Sequence, residues 1–165
     1  MNSDRQAPPG AAFSAILTLP FGGLGVRSDQ SFIRELVFLP PGTAARTPVN
    51  PLAERAATQL LAWLDDPDRP FDLPLAQRGT PFQRRVWSAI AAIPRGTPRT
   101  YGEIAADIDS AARAVGQACG ANPFPIVVPC HRVVAAGGGL GGFANSTGGY
   151  LLDTKRWLLL FEAGQ

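Results

Sequence analysis

The chain has 165 residues, 45% of them hydrophobic and 17% charged, with a mean hydropathy of +0.04; such a chain can bury a core and is too apolar to stay disordered. Two cysteines and one histidine are too few for a four-ligand Cys/His zinc site or a disulfide framework, so no metal is expected. The net charge is only +2, yet residues 76–165 hold nine basic against five acidic side chains, residues 1–75 hold six against eight, and fourteen of the fifteen basic residues are arginine, the residue suited to phosphate forks.

Met1 to Gly10 carries Asp4, Arg5 and two prolines, and the apolar stretch beyond is broken by Pro20, Gly22 and Gly23. Neither a signal peptide nor a membrane-spanning helix is expected, which predicts a cytoplasmic protein with reduced thiols. Phe13 to Thr18, Gly25 to Arg27 and Phe32 to Leu39 are short β-branched and aromatic runs between turn residues, and predict a small antiparallel sheet. Asn50-Pro51 is an N-cap and first-turn pair opening a helix whose Leu52, Ala56, Leu60, Trp63 and Leu64 share a face, until Asp65-Asp66-Pro67 stops it. Pro67, Pro70 and Pro74 mark a connector over residues 65–80.

Thr80-Pro81 opens a second helix, with Phe82, Val86, Trp87, Ile90 and Ile93 inward and Pro94 closing it. Thr100 and Glu103 form a capping box for a third, with Ile104 and Ile108 inward. A fourth begins after Asp109-Ser110 and runs from Ala111 through Cys119 to Gly120. Two short helices on a tight turn predict helix-turn-helix geometry, and the second is small-residued except for Arg113, which lets its backbone approach a phosphate chain. A plain packed helical hairpin has the same pattern. The predicted fold class is thus α+β: an N-terminal sheet-and-helix domain, residues 1–75, and a mostly helical C-terminal domain, residues 76–165.

Ile126-Val127-Val128 predicts a buried strand running into Pro129-Cys130-His131-Arg132-Val133-Val134, where a thiol adjoins the only imidazole. A free thiol, with a pKa of about 8.5, is mostly protonated at neutral pH, so Cys130 needs a base to attack anything quickly. His131 is the available base, but neighbours on extended chain point apart, so contact needs a turn or a relaying water. The imidazole needs an acidic partner to fix its tautomer, and Glu162 is the candidate. Against this stands the structural reading: free cysteines are commonly buried for packing. Cys119, in a helix of small residues, reads as packing only.

The segment Asn122-Pro123-Phe124-Pro125-Ile126-Val127-Val128-Pro129-Cys130-His131-Arg132-Val133-Val134 closely resembles the active-site signature of the O6-alkylguanine-DNA alkyltransferases, or methylated-DNA–protein-cysteine methyltransferases. The resemblance extends through Phe82-Gln83, Val86-Trp87, Ile93-Pro94-Arg95-Gly96, Thr100-Tyr101-Gly102-Glu103-Ile104-Ala105, Arg113-Ala114-Val115-Gly116, Gly141-Gly142-Phe143 and Lys155-Arg156-Trp157-Leu158-Leu159 to Glu162. It implies a ribonuclease-H-like topology for the N-terminal domain. It implies a DNA repair protein that flips O6-alkylguanine, with O4-alkylthymine a second candidate, and moves the alkyl group irreversibly to Cys130, once per molecule. His131 would deprotonate Cys130 through a water, Glu162 would orient His131, and Asn122 would brace the turn. Tyr101 would contact the extruded base and the adjacent phosphate, and Arg113 would enter the stack while Ala114, Gly116 and Gln117 lie in the minor groove. Cys130 and Val133 would read the guanine amine through backbone carbonyls, Arg132 would lie among the DNA-contacting residues, and Phe143 and Ala144 would belong to a lid from Gly142 to Ala144. The implied partner is double-stranded DNA, bound by a monomer without cofactor, metal or membrane.

Two other classes are weighed against this one. A lesion-binding protein without chemistry, like the alkyltransferase-like proteins, would replace the nucleophile, which is present here. A cysteine hydrolase or thiol oxidoreductase would turn over repeatedly, and the chain has no Cys-x-x-Cys pair.

Overall fold

A computed structural model of the chain describes residues 12–143 and 148–164. It divides into two compact units, Met1–Arg78 and Gly79–Gln165. In the first, β1 (Ala15–Leu19), β2 (Gly22–Ser28) and β3 (Ile33–Leu39) form an antiparallel sheet in the order β1-β2-β3. Its register pairs Leu17 with Leu24 and Val26 with Leu36, and a bulge falls between Arg27 and Ser28. The helix α1 (Pro51–Asp65) packs on β1 and β2. Asn50 caps α1 by accepting from the Ala53 amide at 2.8 Å, and of the apolar stripe read from the sequence Leu52, Ala56, Leu60 and Trp63 are buried while Leu64 is half-buried.

The second unit opens at Gly79, whose φ of +91° suits glycine and where a Cβ would meet the Trp87 ring at 2.5 Å. The helix α2 (Pro81–Ala91) follows, with Thr80 and Gln83 in a reciprocal capping box. Beyond it, β4 (Arg99–Thr100) leads into α3 (Tyr101–Asp107), capped by the Thr100 and Glu103 box, and a turn leads into α4 (Ala112–Gly120). α3 and α4 pack on each other and both pack on α2. The core joins Val86, Trp87, Ile90, Ile93, Ile104, Ala105, Val115 and Ala118 to Cys130 and Val133. The Trp87 indole, inside this core, donates to the Ala118 carbonyl at 2.8 Å. Ile108 is only half-buried, because it caps α3 where the chain turns outward.

The helix α4 begins after Asp109-Ser110 as expected, with Ala111 as its N-cap and no side-chain hydrogen bond there. Asp109 takes a left-handed φ of 55° in the turn, and the Ser110 amide donates to the Ala105 carbonyl. One local reading needs correction. The strand expected at Ile126–Val128 is not formed. Pro125 and Pro129 withhold two amides from any ladder; the run folds on itself, with the Val128 amide donating to the Phe124 carbonyl at 2.8 Å. Ile126 is buried with φ at 74°, a conformation that costs a β-branched residue about 1–2 kcal/mol. A 3-10 turn, Cys130–Arg132, comes next, then β5 (Val133–Val134), and α5 (Gly149–Glu162) ends the unit. β5 lies parallel to β4, pairing Arg99 with Val133 and Thr100 with Val134. That pairing sets the start of α3 beside the residues that follow the thiol.

Candidate active site

Cys130 opens the 3-10 turn and its side chain is almost wholly buried. The Cys130–His131 pair is not on extended chain, since a 3-10 geometry rotates successive side chains by about a third of a turn rather than a half, but no hydrogen bond joins the imidazole to the sulfur. The loop before it is fixed by Asn122, whose Nδ2 donates to the Val128 carbonyl at 2.9 Å and to Cys130 Sγ at 3.2 Å, while its Oδ1 accepts from the Phe124 amide at 2.9 Å. One side chain thus spans the loop and ends on the sulfur.

His131 is fully buried. Its Nε2 lies 2.7 Å from Glu162 Oε1, and Nδ1 is buried with no hydrogen-bond partner. Burial alone pushes the Glu162 carboxyl up, but hydrogen bonds from Arg132 and His131 overcome it and hold the group at about 2. Glu162 is therefore ionised, which makes Nε2 the protonated nitrogen and Nδ1 the acceptor. Burial lowers the His131 pKa from its ordinary value, against the opposing pull of Glu162, so the imidazole is a neutral base at pH 7.

Arg132 does not face outward. Its Nε and Nη2 bind Glu162 Oε1 and Oε2 at 2.9 and 2.5 Å, and its Nη1 donates to the Ile93 carbonyl at 2.7 Å. The fork neutralises the carboxylate and aims it at the imidazole. Arg95 donates to the backbone carbonyl of Glu162 at 2.8 Å. A cavity of about 280 Å³, bordered by Pro98, Arg132, Val134, Leu140 and Glu162, lies beside this fork and does not reach Cys130.

Two residues that sequence reasoning left outside the chemistry belong to the site. Lys155 is completely buried, and its Nζ donates to the Leu140 and Gly142 carbonyls at 2.6 and 2.9 Å. It also lies 3.4 Å from the Tyr101 hydroxyl and over the Tyr101 and Phe143 rings at 5.6 and 5.8 Å. Burial lowers its pKa to about 8, with the two cysteines opposing. Lys155, Leu158 and Glu162 repeat at helical spacing on the buried face of α5, the one sequence signal that could have tied the lysine to Glu162. Cys119 is the other. It packs against the core cluster that contains Cys130, and the influence of each thiol on the other lowers the Cys119 pKa and raises the Cys130 pKa. The pair therefore gives up one proton readily and a second only with difficulty. Its packing role stands, but nothing in its helix announces the tertiary contact.

Tyr101 is half-buried in the first turn of α3, and its hydroxyl donates to the Gly142 carbonyl at 3.3 Å. Burial pushes its pKa up to about 12, so it stays a phenol. Gly116 of α4 faces the Tyr101 ring, a Cβ there standing 3.9 Å from it. Ala114 is half-buried, while Arg113 and Gln117 are exposed. Val133 is buried, and its amide donates to the Cys130 carbonyl. Phe143 is buried against Lys155; Ala144 lies outside the described residues. Among those described, no group of three His, Cys, Asp or Glu side chains could hold a metal, and no helix is long and apolar enough to cross a membrane.

A thiol braced by an amide, next to an imidazole held by an ionised carboxylate, makes up the parts of a cysteine nucleophile. Residues 81–164 match the family model of the 6-O-methylguanine DNA methyltransferase DNA-binding domain. The chain is 38% identical over 154 residues to the methylated-DNA–protein-cysteine methyltransferase of Methanosarcina mazei, covering 89% of this chain and 94% of that one. Among solved structures, Mycobacterium tuberculosis O6-methylguanine methyltransferase superposes with a TM-score of 0.76 at 38% identity, over 93% of this chain and 94% of that chain. The M. tuberculosis OGT in complex with DNA gives 0.75 at 39% identity, over 90% and 91%. The chain belongs to the methylated-DNA–protein-cysteine methyltransferase family.

Proposed function

We propose that this protein repairs DNA by moving the alkyl group of O6-alkylguanine onto its own Cys130, each molecule acting once. The observation that carries the reading is the geometry beside the sulfur: His131 Nε2 is committed to Glu162 at 2.7 Å and its buried Nδ1 is left free to accept. His131 takes the thiol proton through one water. The Cys130 thiolate then attacks the alkyl carbon; the S–C bond forms, the C–O bond breaks, and its electron pair leaves with the guanine, which takes up a proton. The thioether product has no easy leaving group, so the sulfur is spent. Glu162 keeps the imidazole in the accepting tautomer, Arg132 positions Glu162 rather than touching substrate, and Asn122 holds the sulfur in place.

Base flipping explains why a buried sulfur suffices, since the nucleotide leaves its stack to reach the pocket. In this reading α3, the turn and α4 act as a helix-turn-helix in the minor groove of duplex DNA, with Ala114, Gly116 and Gln117 against the groove and Arg113 in the vacated stack. Tyr101, kept as a phenol, hydrogen-bonds the base and crowds its phosphate. Backbone carbonyls of Cys130 and Val133 receive the guanine amine, and Phe143 with Ala144 covers the pocket. The N-terminal unit is read as ribonuclease-H-like, and the protein works as a cytoplasmic monomer without cofactor. The lesion-binding reading without chemistry loses ground because Cys130, His131 and Glu162 are all present.

The test is an intact-mass measurement before and after mixing with excess duplex holding O6-methylguanine. One methyl per molecule is expected, on the peptide bearing Cys130, and none in Cys130→Ala. Methyl on Cys119, or product growing linearly past one equivalent, sinks the reading.

A further inference from the structure

Alkyl transfer at Cys130 leaves Lys155 without a task. The side chain is completely buried, and among the described residues no carboxylate pairs with it. Its neighbours one turn away on α5 are Leu151, Leu152, Leu158 and Leu159, and Glu162 is held by His131 and Arg132. A buried cation without a counter-ion costs more than an apolar side chain of similar volume, so packing alone does not account for it. Its three N–H groups are spread over three oxygens of two segments: the Leu140 carbonyl at 2.6 Å, the Gly142 carbonyl at 2.9 Å and the Tyr101 hydroxyl at 3.4 Å. The Tyr101 hydroxyl in turn donates to the Gly142 carbonyl at 3.3 Å, which closes a triangle between α5, the first turn of α3 and the loop of residues 138–143. The ammonium also faces the Tyr101 and Phe143 rings at 5.6 and 5.8 Å, an attraction that only a cation receives. Gly138, Gly139, Gly141 and Gly142 make up most of that loop, so it has little of its own to hold it in one conformation.

We propose that Lys155 is a positioning residue: its ammonium fastens the loop 138–143 to Tyr101, and the pocket that the alkyl-transfer reading assigns to the extruded base is assembled only while that nitrogen is charged. Its effect on transfer rests on that reading; its effect on the loop rests on the hydrogen bonds alone. A neutral amine keeps two N–H groups and gains a lone pair. Carbonyl oxygens repel that lone pair. Either it accepts from the Tyr101 hydroxyl, which then releases the Gly142 carbonyl, or a loop carbonyl loses its donor. In both cases one bond of the triangle goes, and the attraction to the two rings goes with it. Burial brings the Lys155 titration to about 8, within reach of a pH series. The other titratable groups facing the lysine do not reproduce the effect. Tyr101 on α3 stays a phenol up to about 12, and His131 in the 3-10 turn is already neutral at pH 7. Ionisation of Cys119 on α4 or of Cys130 in the turn helps to keep the lysine charged and quickens attack by sulfur, so it acts in the opposite direction. The loop itself carries no titratable side chain.

The full-length wild type, Lys155→Met and Lys155→Arg are compared from about pH 7 to about pH 9.5. Amide hydrogen exchange, corrected for the intrinsic rate at each pH, is measured first without DNA. Protection of the amides of residues 140–143 is expected to fall about tenfold or more along the series in the wild type, and to be low at every pH in Lys155→Met. With saturating duplex holding O6-methylguanine, the limiting single-turnover rate of the wild type is expected to drop about tenfold over the same titration, while the duplex concentration at half-saturation changes less than about twofold. Lys155→Met is expected to be slower by about tenfold at neutral pH and level thereafter, and Lys155→Arg, charged at every pH, to hold its rate where the wild type loses it. The wild-type series stands without either variant, so a substitution that fails to fold does not remove the test. A wild-type rate that stays level or climbs throughout, loop protection that does not change with pH, or Lys155→Met transferring at the wild-type limiting rate overturns the proposal. The exchange measurement needs no alkyl transfer: a loop that loosens as expected in a protein accepting no methyl sinks the repair reading and leaves the clasp standing.

Discussion

Glu162 carries three loads: it orients the His131 base, neutralises Arg132, and ties the end of α5 to the 3-10 turn. Its pKa falls from 4.5 to about 2 on folding, so the folded state binds fewer protons than the unfolded chain between those values. The stability this supplies is fully present above about pH 4.5 and is lost as pH falls toward 2, on the order of 3 kcal/mol in all. His131 works in the same direction but higher: its folded pKa lies below 6.5, so acidification from that point protonates the imidazole of the unfolded chain while the buried ring stays neutral, and stability falls. Glu162→Gln leaves the Arg132 guanidinium buried without its counter-ion, at a cost of about 3 kcal/mol at neutral pH. Urea unfolding measured from pH 7 down to 3 should therefore find the gap between wild type and variant wide at pH 7 and shrinking below 4.5. A constant gap would mean that the carboxylate does not titrate with folding.

The loop before Phe143 and the first turn of α3 meet at Gly141. Its φ is +73°, and a Cβ there would stand 2.8 Å from the Tyr101 ring. Gly141→Ala must strain the loop backbone or displace Tyr101, at about 1–3 kcal/mol, and the ring that moves is the one proposed to hold the extruded base. The variant should keep its fold by circular dichroism and bind undamaged duplex normally, while its single-turnover methyl transfer slows about tenfold or more; an unchanged rate would remove Tyr101 from the pocket. Neighbouring elements mark what the sequence makes legible. The Thr100 and Glu103 box is a contact within one turn, so its signature is local and α3 starts where it says. Cys130, His131 and Glu162 could be assembled because thiol, base and carboxylate are a chemically constrained set. Ile126–Val128 misleads because an apolar run reports burial, not extension, and two prolines forbade the ladder. Cys119, Lys155 and the inward turn of Arg132 were illegible for another reason: their partners are fixed by tertiary packing and leave no mark in nearby residues.

At the scale of the molecule the question is how a chain of net charge +2 holds DNA. Most of the basic side chains of residues 76–165 are already engaged. Arg84, Arg85 and Arg95 bind backbone carbonyls, Arg99 pairs with Asp107, Arg132 with Glu162 and Arg156 with Asp153, and Lys155 is buried in the site. Among the described residues of α4, Arg113 is exposed with no ion pair or hydrogen bond. With Arg113 proposed for the base stack, phosphate neutralisation must come from the few arginines that can swing away from weak surface partners, and the helix end and backbone amides must supply the rest. Each phosphate neutralised on duplex DNA contributes a slope of about −0.9 to log K against log salt, so three such contacts give about −3. Titrating the unmodified duplex from 50 to 200 mM salt should return a slope between about −2 and −4. Arg113→Ala should shift it toward zero by less than one unit while cutting lesion transfer far more, because the arginine is proposed to sit in the base stack and not on a phosphate. A slope beyond about −6 would require a basic surface larger than this fold carries, and equal losses of affinity and transfer in Arg113→Ala would return that side chain to the phosphate backbone.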